Sequence, residues 1–108
     1  MSVYFKEIEE NMNVAFLAKL DEARGIAGIP FHINSAFRTP EKNAEVGGKS
    51  NSSHLRGLAV DISTTDSRTR FIVLQSLIAA GFTRMGVASN FIHVDDDKEK
   101  SQNVVWTY

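Results

Sequence analysis

A short apolar run over residues 58–62 is interrupted by one acid, Asp61. Apolar runs of this length are typical of strands that are mostly buried. A carboxylate that is buried without compensation is costly, so it is normally paired, hydrogen-bonded or bound to a metal. Any fold that this chain adopts must therefore bring a partner to Asp61.

Two histidines are candidates for that partner. His54 stands seven positions before Asp61, and His93 lies in the alternating run of residues 91–95. Alternate side chains of an extended segment share one face, so His93 and Asp95 are predicted to point the same way, while the apolar residues between them point into the core.

Two imidazoles and one carboxylate are the ligand set of an open catalytic zinc site, which keeps a fourth position for water. The chain has no cysteine, which excludes the closed, sulfur-rich type of zinc site. Bound Zn²⁺ lowers the pKa of water to about 7 and polarises carbonyl oxygens, so the chemistry it implies is hydrolysis. A lone histidine in a strand is more often a hydrogen-bonded core or edge residue, and spacing alone leaves both interpretations open.

Length and charge set broader bounds. The chain has 108 residues, of which 43% are hydrophobic, enough for one domain with a single core. Its formal net charge of −1 argues against a broad electrostatic surface for nucleic acid or anionic membranes. Without cysteine there is no disulfide framework. We expect a single domain over residues 1–108, monomeric by default and without a nucleic-acid partner.

The first ten residues carry acids where a signal peptide has a basic start and an apolar run. No stretch approaches the ~18 apolar residues of a membrane span. We therefore expect a protein that is made in the cytoplasm, with neither an export signal nor a membrane span of its own.

Two helices are predicted in the first half of the chain. The first follows Asn13, a good N-cap, and ends near residues 25–28. The second covers residues 40–46, with Thr39 as N-cap and proline at the first helical position. The apolar positions of the first helix recur at helical spacing and are Phe16, Leu17, Leu20, Ala23 and Ala27.

A third helix is predicted to begin after a cap at Asp66 or Ser67 and to end at Gly81. Its inner face is predicted to consist of Phe71, Leu74, Leu77 and Ile78. Strands are predicted over residues 31–35, 58–62, 82–87, 91–94 and 104–106. A polar, glycine-led loop over residues 47–53 leads into His54.

Three separated blocks of the chain agree in residue type and order with one known family. They are Ser35-Ala36-Phe37-Arg38-Thr39-Pro40, Ser53-His54-x-x-Gly57-x-Ala59-x-Asp61 and Phe91-Ile92-His93-Val94-Asp95. Over roughly residues 31–95 the chain resembles the M15 zinc peptidases, in the D-Ala-D-Ala carboxypeptidase-like branch that acts on bacterial peptidoglycan. The resemblance implies an α+β fold, an antiparallel sheet with helices packed on one side, as in Hedgehog and D-Ala-D-Ala peptidase domains. Zinc is then expected on the open face of the sheet.

In that family the first histidine, the aspartate and the last histidine bind zinc, and the resemblance carries these roles to His54, Asp61 and His93. The arginine of the family's first block lies in the substrate cleft, where it holds a peptide carboxylate or polarises the scissile region. It corresponds to Arg38. A planar guanidinium can hold a carboxylate at two points, which lysine cannot. From the sequence alone, a surface ion pair between Arg38 and Glu41 is the alternative.

One position departs from the family pattern. Many members place a catalytic Glu or Asp three residues before the last zinc histidine, and here that position is Asn90, which cannot accept a proton. Asp95 is the predicted substitute as general base because it shares a strand face with His93. The alternative is that Asp95 orients the ligand imidazole.

The remaining polar residues near these blocks receive lesser roles. Ser53, one residue before the first predicted ligand, either orients substrate or satisfies the backbone of the loop. Asp96 and Asp97 are predicted to be solvated turn acids. His32 is predicted to be a surface or packing residue without a role.

The function predicted from these blocks is that of a zinc-dependent peptidase. Its substrate is expected to be a stem or cross-link peptide of peptidoglycan, cut by metal-activated water in a carboxypeptidase or endopeptidase reaction. A non-catalytic zinc domain for binding or structure is the alternative, because Asn90 replaces the acid. By analogy, the small size and the missing signal peptide fit a phage or prophage enzyme that reaches the cell wall by other means.

Overall fold

The structure, a computed structural model, describes residues 2–108. Its helices are α1 (Val14–Ala27), α2 (Pro40–Glu45) and α3 (Ser67–Ala79), and its strands are β1 (Ile33–Ser35), β2 (Ala59–Ser63), β3 (Arg84–Val87), β4 (Phe91–Asp95) and β5 (Val104–Thr107). Two short 3-10 turns, Lys6–Ile8 and Ser53–Arg56, complete the regular elements. Within this described part of the chain, no helix is both long enough and apolar enough to cross a membrane.

The strands form one sheet in the order β1-β2-β4-β3-β5. Three of its pairings are antiparallel, but β5 pairs with β3 in parallel, so the predicted all-antiparallel sheet is wrong in this respect. The reason is the hairpin of β3 and β4, which brings the end of β4 beside the start of β3. Because β2 occupies the other edge of β4, the chain continues outside β3 and runs in its direction. The fold is α+β with a mixed, mostly antiparallel sheet.

One face of the sheet is apolar and is covered by α1 and α3, which pack against each other. Val60, Ile62, Ile92 and Val94 point to this face and are fully buried. The helices contribute Phe16, Leu17, Leu20, Ala23, Val73 and Leu77 to the same core. The two-residue alternation of β2 and β4 therefore directs their remaining side chains to the opposite face.

The predicted N-caps are confirmed. The side chains of Asn13, Thr39 and Asp66 each accept a hydrogen bond from the backbone N–H three residues further on. Such caps satisfy N–H groups that have no partner within the helix. Helix α1 ends at Gly28, whose φ of 68° lies in the left-handed region. Local sequence thus determines where these helices begin and where α1 ends.

The predicted inner face of α3 is wrong in part. Phe71 is 64% exposed and Ile78 is 54% exposed, whereas Val73 and Leu77 are fully buried. The buried face also includes Ser76, whose hydroxyl donates to the carbonyl of Val73 at 2.8 Å. A serine whose hydroxyl bonds to a carbonyl of its own helix can be buried. Because Ser76 is polar, the pattern of apolar residues did not identify its face of α3 as the buried one.

Candidate metal centre

On the face opposite the helices, strand register places one residue from each strand in a single row. The row runs Ser35, Asp61, His93, Gly86 and Trp106, from β1 to β5. Neighbouring strands lie about 4.8 Å apart, so directly opposed side chains are in contact range. The pairing of β2 with β4 therefore brings Asp61 and His93 together.

His54 reaches this row from the 3-10 turn Ser53–Arg56. The turn ends at Gly57, whose φ of 67° and close approach to the carbonyl of Asn11 leave no room for a side chain. The imidazole of His54 is 3% exposed, and its Nε2 lies 3.3 Å from Asp61 Oδ1. The backbone of the turn thus aims His54 at the carboxylate of β2.

The three side chains predicted as metal ligands converge. Nδ1 of His93 lies 2.9 Å from the same Asp61 oxygen that His54 approaches. One potential ligand atom from each residue falls within 4.8 Å of the others. His54, Asp61 and His93 therefore form a group that could hold a metal ion.

The hydrogen bonds on the outer side of each ring test whether this group suits a metal. His54 Nδ1 lies 2.8 Å from the carbonyl oxygen of Ala36, which can only accept, so Nδ1 carries the proton. His93 Nε2 lies 2.7 Å from Asp95 Oδ2. The other nitrogen of each ring faces Asp61, where it would offer its lone pair to a bound metal. Metal-bound histidines commonly make such outer bonds to a carbonyl or carboxylate, and the N, N, O donor set fits Zn²⁺.

The charges of the group reinforce each other. Burial raises the pKa of Asp61, but hydrogen bonds from His54 and His93 outweigh it and hold the pKa well below its usual range. For His93, burial lowers the pKa, but the partners Asp61 and Asp95 outweigh it, so the pKa is raised. Asp61 is therefore ionised at neutral pH. A cation bound here would take the place of the proton on His93 Nδ1.

Asp95 lies on the side of the His93 ring that faces away from Asp61. It is 1% exposed, and its second oxygen accepts hydrogen bonds from Arg84 Nε at 2.7 Å and from the backbone N–H of Asp97 at 3.2 Å. Burial raises the pKa of Asp95, but His93 and Arg84 outweigh it and lower the pKa. Of the two roles predicted for Asp95, these contacts favour orienting His93 over acting as general base.

Arg84 was missed by sequence analysis, although a pattern could have identified it. It is two residues from Gly86, which opposes His93, so strand alternation places its side chain on the face of Asp95. Its guanidinium also donates from Nη1 to the carbonyl of Ser101 at 2.6 Å. Arg84 therefore connects Asp95 with the segment that precedes β5.

Arg38 points into the site, as the resemblance implies. Its Nη2 lies 3.5 Å from Asp61 Oδ2, while Nε donates to Ser35 Oγ at 3.0 Å and Nη1 to Asn43 Oδ1 at 3.2 Å. The ion pair of Arg38 is thus with Asp61 and not with Glu41. Asn43, a buried residue of α2, was missed because nothing in a short polar helix distinguishes it.

A cleft of about 680 Å³ opens onto the group. Its lining includes the three predicted ligands together with Arg38, Lys49, Lys100, Phe91, Trp106 and Tyr108. The cleft thus combines a candidate metal centre with cationic and aromatic side chains.

The family model described as Peptidase M15 matches residues 3–95, a span that contains His54, Asp61 and His93. The chain belongs to the M15 peptidase family. This confirms the resemblance read from the sequence. No curated protein matches the chain. M15 peptidases are generally zinc-dependent, in agreement with the donor set of this site.

In this M15 peptidase Asp97 is completely buried, so its prediction as a solvated turn acid is wrong. It pairs with Arg56 and accepts a hydrogen bond from Ser53 Oγ at 2.7 Å, and Lys100 Nζ lies 3.7 Å away. Burial raises the pKa of Asp97, but Ser53 and Arg56 outweigh it and lower the pKa. These partners explain how an acid can be buried here.

Ser53 lines the cleft, and its hydroxyl is held by other side chains. It is 2% exposed, and its hydroxyl donates to Asp97 and accepts from Lys100 Nζ at 2.9 Å. The hydroxyl is therefore engaged by two side chains, and its two predicted roles, orienting substrate or satisfying the loop backbone, stay predictions. Ser53 fastens the turn that carries His54 to the segment after β4.

Three other residues of this M15 peptidase lie outside the group. Asp96 is only partly solvated, because it pairs with Lys19 at 3.3 Å and Lys98 at 2.8 Å, which corrects its prediction as a solvated acid. His32 is exposed, as predicted. Asn90 is exposed in the turn between β3 and β4.

Proposed function

We propose that this M15 peptidase is a zinc-dependent enzyme that hydrolyses peptide bonds of bacterial cell-wall peptidoglycan, as a carboxypeptidase or an endopeptidase. The observation that carries the proposal is the outer hydrogen bond of each histidine. Ala36 fixes the ring of His54 and Asp95 fixes that of His93, so both inner nitrogens converge on Asp61. Metal-bound histidines commonly make such outer hydrogen bonds, which leave both inner nitrogens free to face one cation beside the Asp61 carboxylate.

His54, Asp61 and His93 would hold the metal. Bound zinc supplies a lowered pKa for water, to about 7, and a polarised carbonyl oxygen. Asp95 orients His93 by accepting a hydrogen bond from Nε2, and Arg84 holds Asp95 in place through a buried ion pair. These roles keep the ligand set rigid before substrate arrives.

Arg38 binds a carboxylate of the substrate in this proposal. Ser35 and Asn43 fix its guanidinium at the cleft, where a planar donor suits a carboxylate. Lys49 and Lys100 add positive charge to the same cleft. Every carboxypeptidase substrate ends in a carboxylate, so this distribution of charge fits a peptide cut near its C-terminus.

A second candidate is a zinc domain of the same family that binds peptides without cutting them. Among the described residues that line the cleft, the carboxylates are Asp61 and Asp95, and both are engaged by histidine and arginine. The family position of the catalytic acid is the exposed Asn90. These observations favour a domain that has kept its metal site and lost its base.

One experiment separates the two candidates. Zinc-loaded protein is incubated with purified peptidoglycan and with its soluble peptides, and the products are identified by mass spectrometry. Cleavage that is lost in Asp61→Asn and kept in His32→Ala, a histidine outside the site, supports the peptidase. Zinc at about one per chain without any cleavage supports the non-catalytic domain.

A further inference from the structure

The C-terminal segment of the chain forms part of the cleft, although the family match ends at Asp95. Lys100, Trp106 and Tyr108 lie beyond that position and line the cleft together with the predicted metal ligands. Strand β5 brings the two aromatic residues there by pairing with β3. Residues outside the matched region thus contribute to the candidate site.

Trp106 is an aromatic residue that lies beside the metal group. Its register partner in the sheet is Gly86. A Cβ at position 86 would clash with the indole, so the ring packs over β3 at a position where only glycine leaves room for it. The ring centroids of Trp106 and His93 are 5.7 Å apart. Gly86 therefore allows the indole of an edge strand to reach a predicted metal ligand.

The indole is held in a fixed position. The guanidinium carbon of Arg84 lies 4.9 Å from its ring centroid, a cation–π arrangement. Arg84 is itself fixed by Asp95 and by the carbonyl of Ser101. Trp106 remains partly exposed on the cleft side. A rigid, partly exposed aromatic ring loses little conformational entropy when a ligand packs on it.

A second aromatic pair extends this surface. The rings of Phe91 and Tyr108 are 5.3 Å apart, and Phe91 shares the strand face of His93 two residues away. Tyr108 is 70% exposed. We call the surface made by Phe91, Trp106 and Tyr108 the aromatic wall.

We propose that the aromatic wall is a substrate subsite that receives an apolar side chain of the peptide. Sheet order places Arg38, bonded to β1, at one edge and Trp106 on β5 at the other, with Asp61 and His93 between them. A carboxylate at Arg38 directs the residue on the far side of the scissile bond toward Trp106. This inference rests on the proposed function, because it takes Arg38 as the carboxylate site.

The chain contains one tryptophan, so its intrinsic fluorescence reports directly on the wall. Zinc-loaded protein is mixed by stopped flow with N-acetyl-D-Ala-D-Ala or with N-acetyl-D-Ser-D-Ala, which differ by one hydroxyl. We expect a saturable change in emission within the first seconds and roughly tenfold tighter binding of the alanine peptide. Equal affinities for the two peptides, or no change in emission while calorimetry detects binding, would overturn the subsite.

Variants separate a subsite from a structural ring. We expect Trp106→Ala to reduce the preference to below about twofold and to raise KM or the calorimetric Kd for the alanine peptide about tenfold. Zinc content and kcat stay near the wild-type values, and Trp106→Phe restores most of the preference. Tyr108→Ala, at the exposed end of the wall, gives a smaller loss of a few fold, which keeps the test valid if Trp106→Ala does not fold.

The matched control is Val105→Ala, a 53% exposed residue on the opposite face of the same strand. It should leave the preference unchanged. A Trp106→Ala protein that loses zinc and kcat but keeps its preference has a structural ring, and the inference fails. Tighter binding of the alanine peptide without cleavage would contradict the peptidase function and support the subsite. Cleavage of both peptides without a preference would support the peptidase function and contradict the subsite.

Discussion

The two faces of the sheet are built by the same strands and stabilised in opposite ways. On the helix side, Val60, Ile62, Ile92 and Val94 are buried by nondirectional apolar packing. On the cleft side, each polar group is placed by directed contacts, as Asp61 is by His54, His93 and Arg38. A packed apolar face tolerates changes that conserve volume, whereas a charge network fails when one partner is removed. Substitutions on the two faces should therefore have different consequences.

The largest expected effect is on the cleft face. Asp61→Asn keeps the size of the side chain but removes the charge that both histidines approach. We expect bound zinc to fall from about one per chain to below about a tenth, and cleavage to be lost with it. The measurement is zinc content after dialysis. Ser63→Ala, further along β2, is the control, and stoichiometric zinc in Asp61→Asn would contradict the assignment.

A substitution on the helix face should lower the stability of the protein and leave its zinc content unchanged. Leu77→Ala empties a fully buried position of α3, and we expect the free energy of unfolding to fall by about 2–5 kcal/mol in urea titrations. Ile78→Ala, the exposed neighbour, should change it by no more than about 0.5 kcal/mol. Zinc content of the folded protein is unchanged in both. An equal cost at the two positions would contradict the observed orientation of α3.

A smaller effect is expected behind the metal group. Asp95→Asn weakens the outer hydrogen bond of His93, so the zinc dissociation constant should rise about 10–100-fold in chelator competition. Asp96→Asn, the next residue, is the control. Turnover of the zinc-saturated variant should be nearly unchanged. A loss of the 10²–10⁴-fold that general-base removal causes, with zinc still bound, would instead make Asp95 the base.

The smallest effect is expected for the buried acid Asp97, whose contribution to stability should depend on pH. Asp97 has a lowered pKa in the folded protein, so it stabilises the fold above its unfolded pKa of about 3.9, and this stabilisation is lost as pH falls through the folded value. We expect Asp97→Asn to lower the free energy of unfolding by about 1–3 kcal/mol at pH 7 and by less near pH 3. Urea titrations at both pH values measure this difference. Parallel losses in wild type and variant on acidification would show that Asp97 is not responsible.

The sequence predicts features that depend on local pattern. Asn13, Thr39 and Asp66 cap their helices, and alternation in β4 places His93 and Asp95 on one face. Caps and strand alternation need only neighbours within a few positions along the chain. The group of metal-binding candidates was predicted through the resemblance to M15 peptidases, because spacing alone left the role of the two histidines open.

Features that depend on distant partners were not predictable in the same way. Asp97 stands in a run of three acids that resembles a solvated turn, and its partner Arg56 is 41 positions away. The parallel placement of β5 depends on which sheet edge remains free after β2 has paired. Trp106 reaches the cleft only because Gly86 lies beside it in that sheet. Each case required the assembled sheet.

The central claim is that His54, Asp61 and His93 hold one zinc ion. Elemental analysis of purified protein, incubated with zinc and then dialysed, tests it most directly. Of the three histidines of the chain, His54 and His93 provide the test variants and His32 provides the control. The account predicts about one zinc per chain in the wild type and in His32→Ala, and almost none in His54→Ala or His93→Ala. A wild-type protein without zinc, or full zinc content in His54→Ala and His93→Ala, would contradict it.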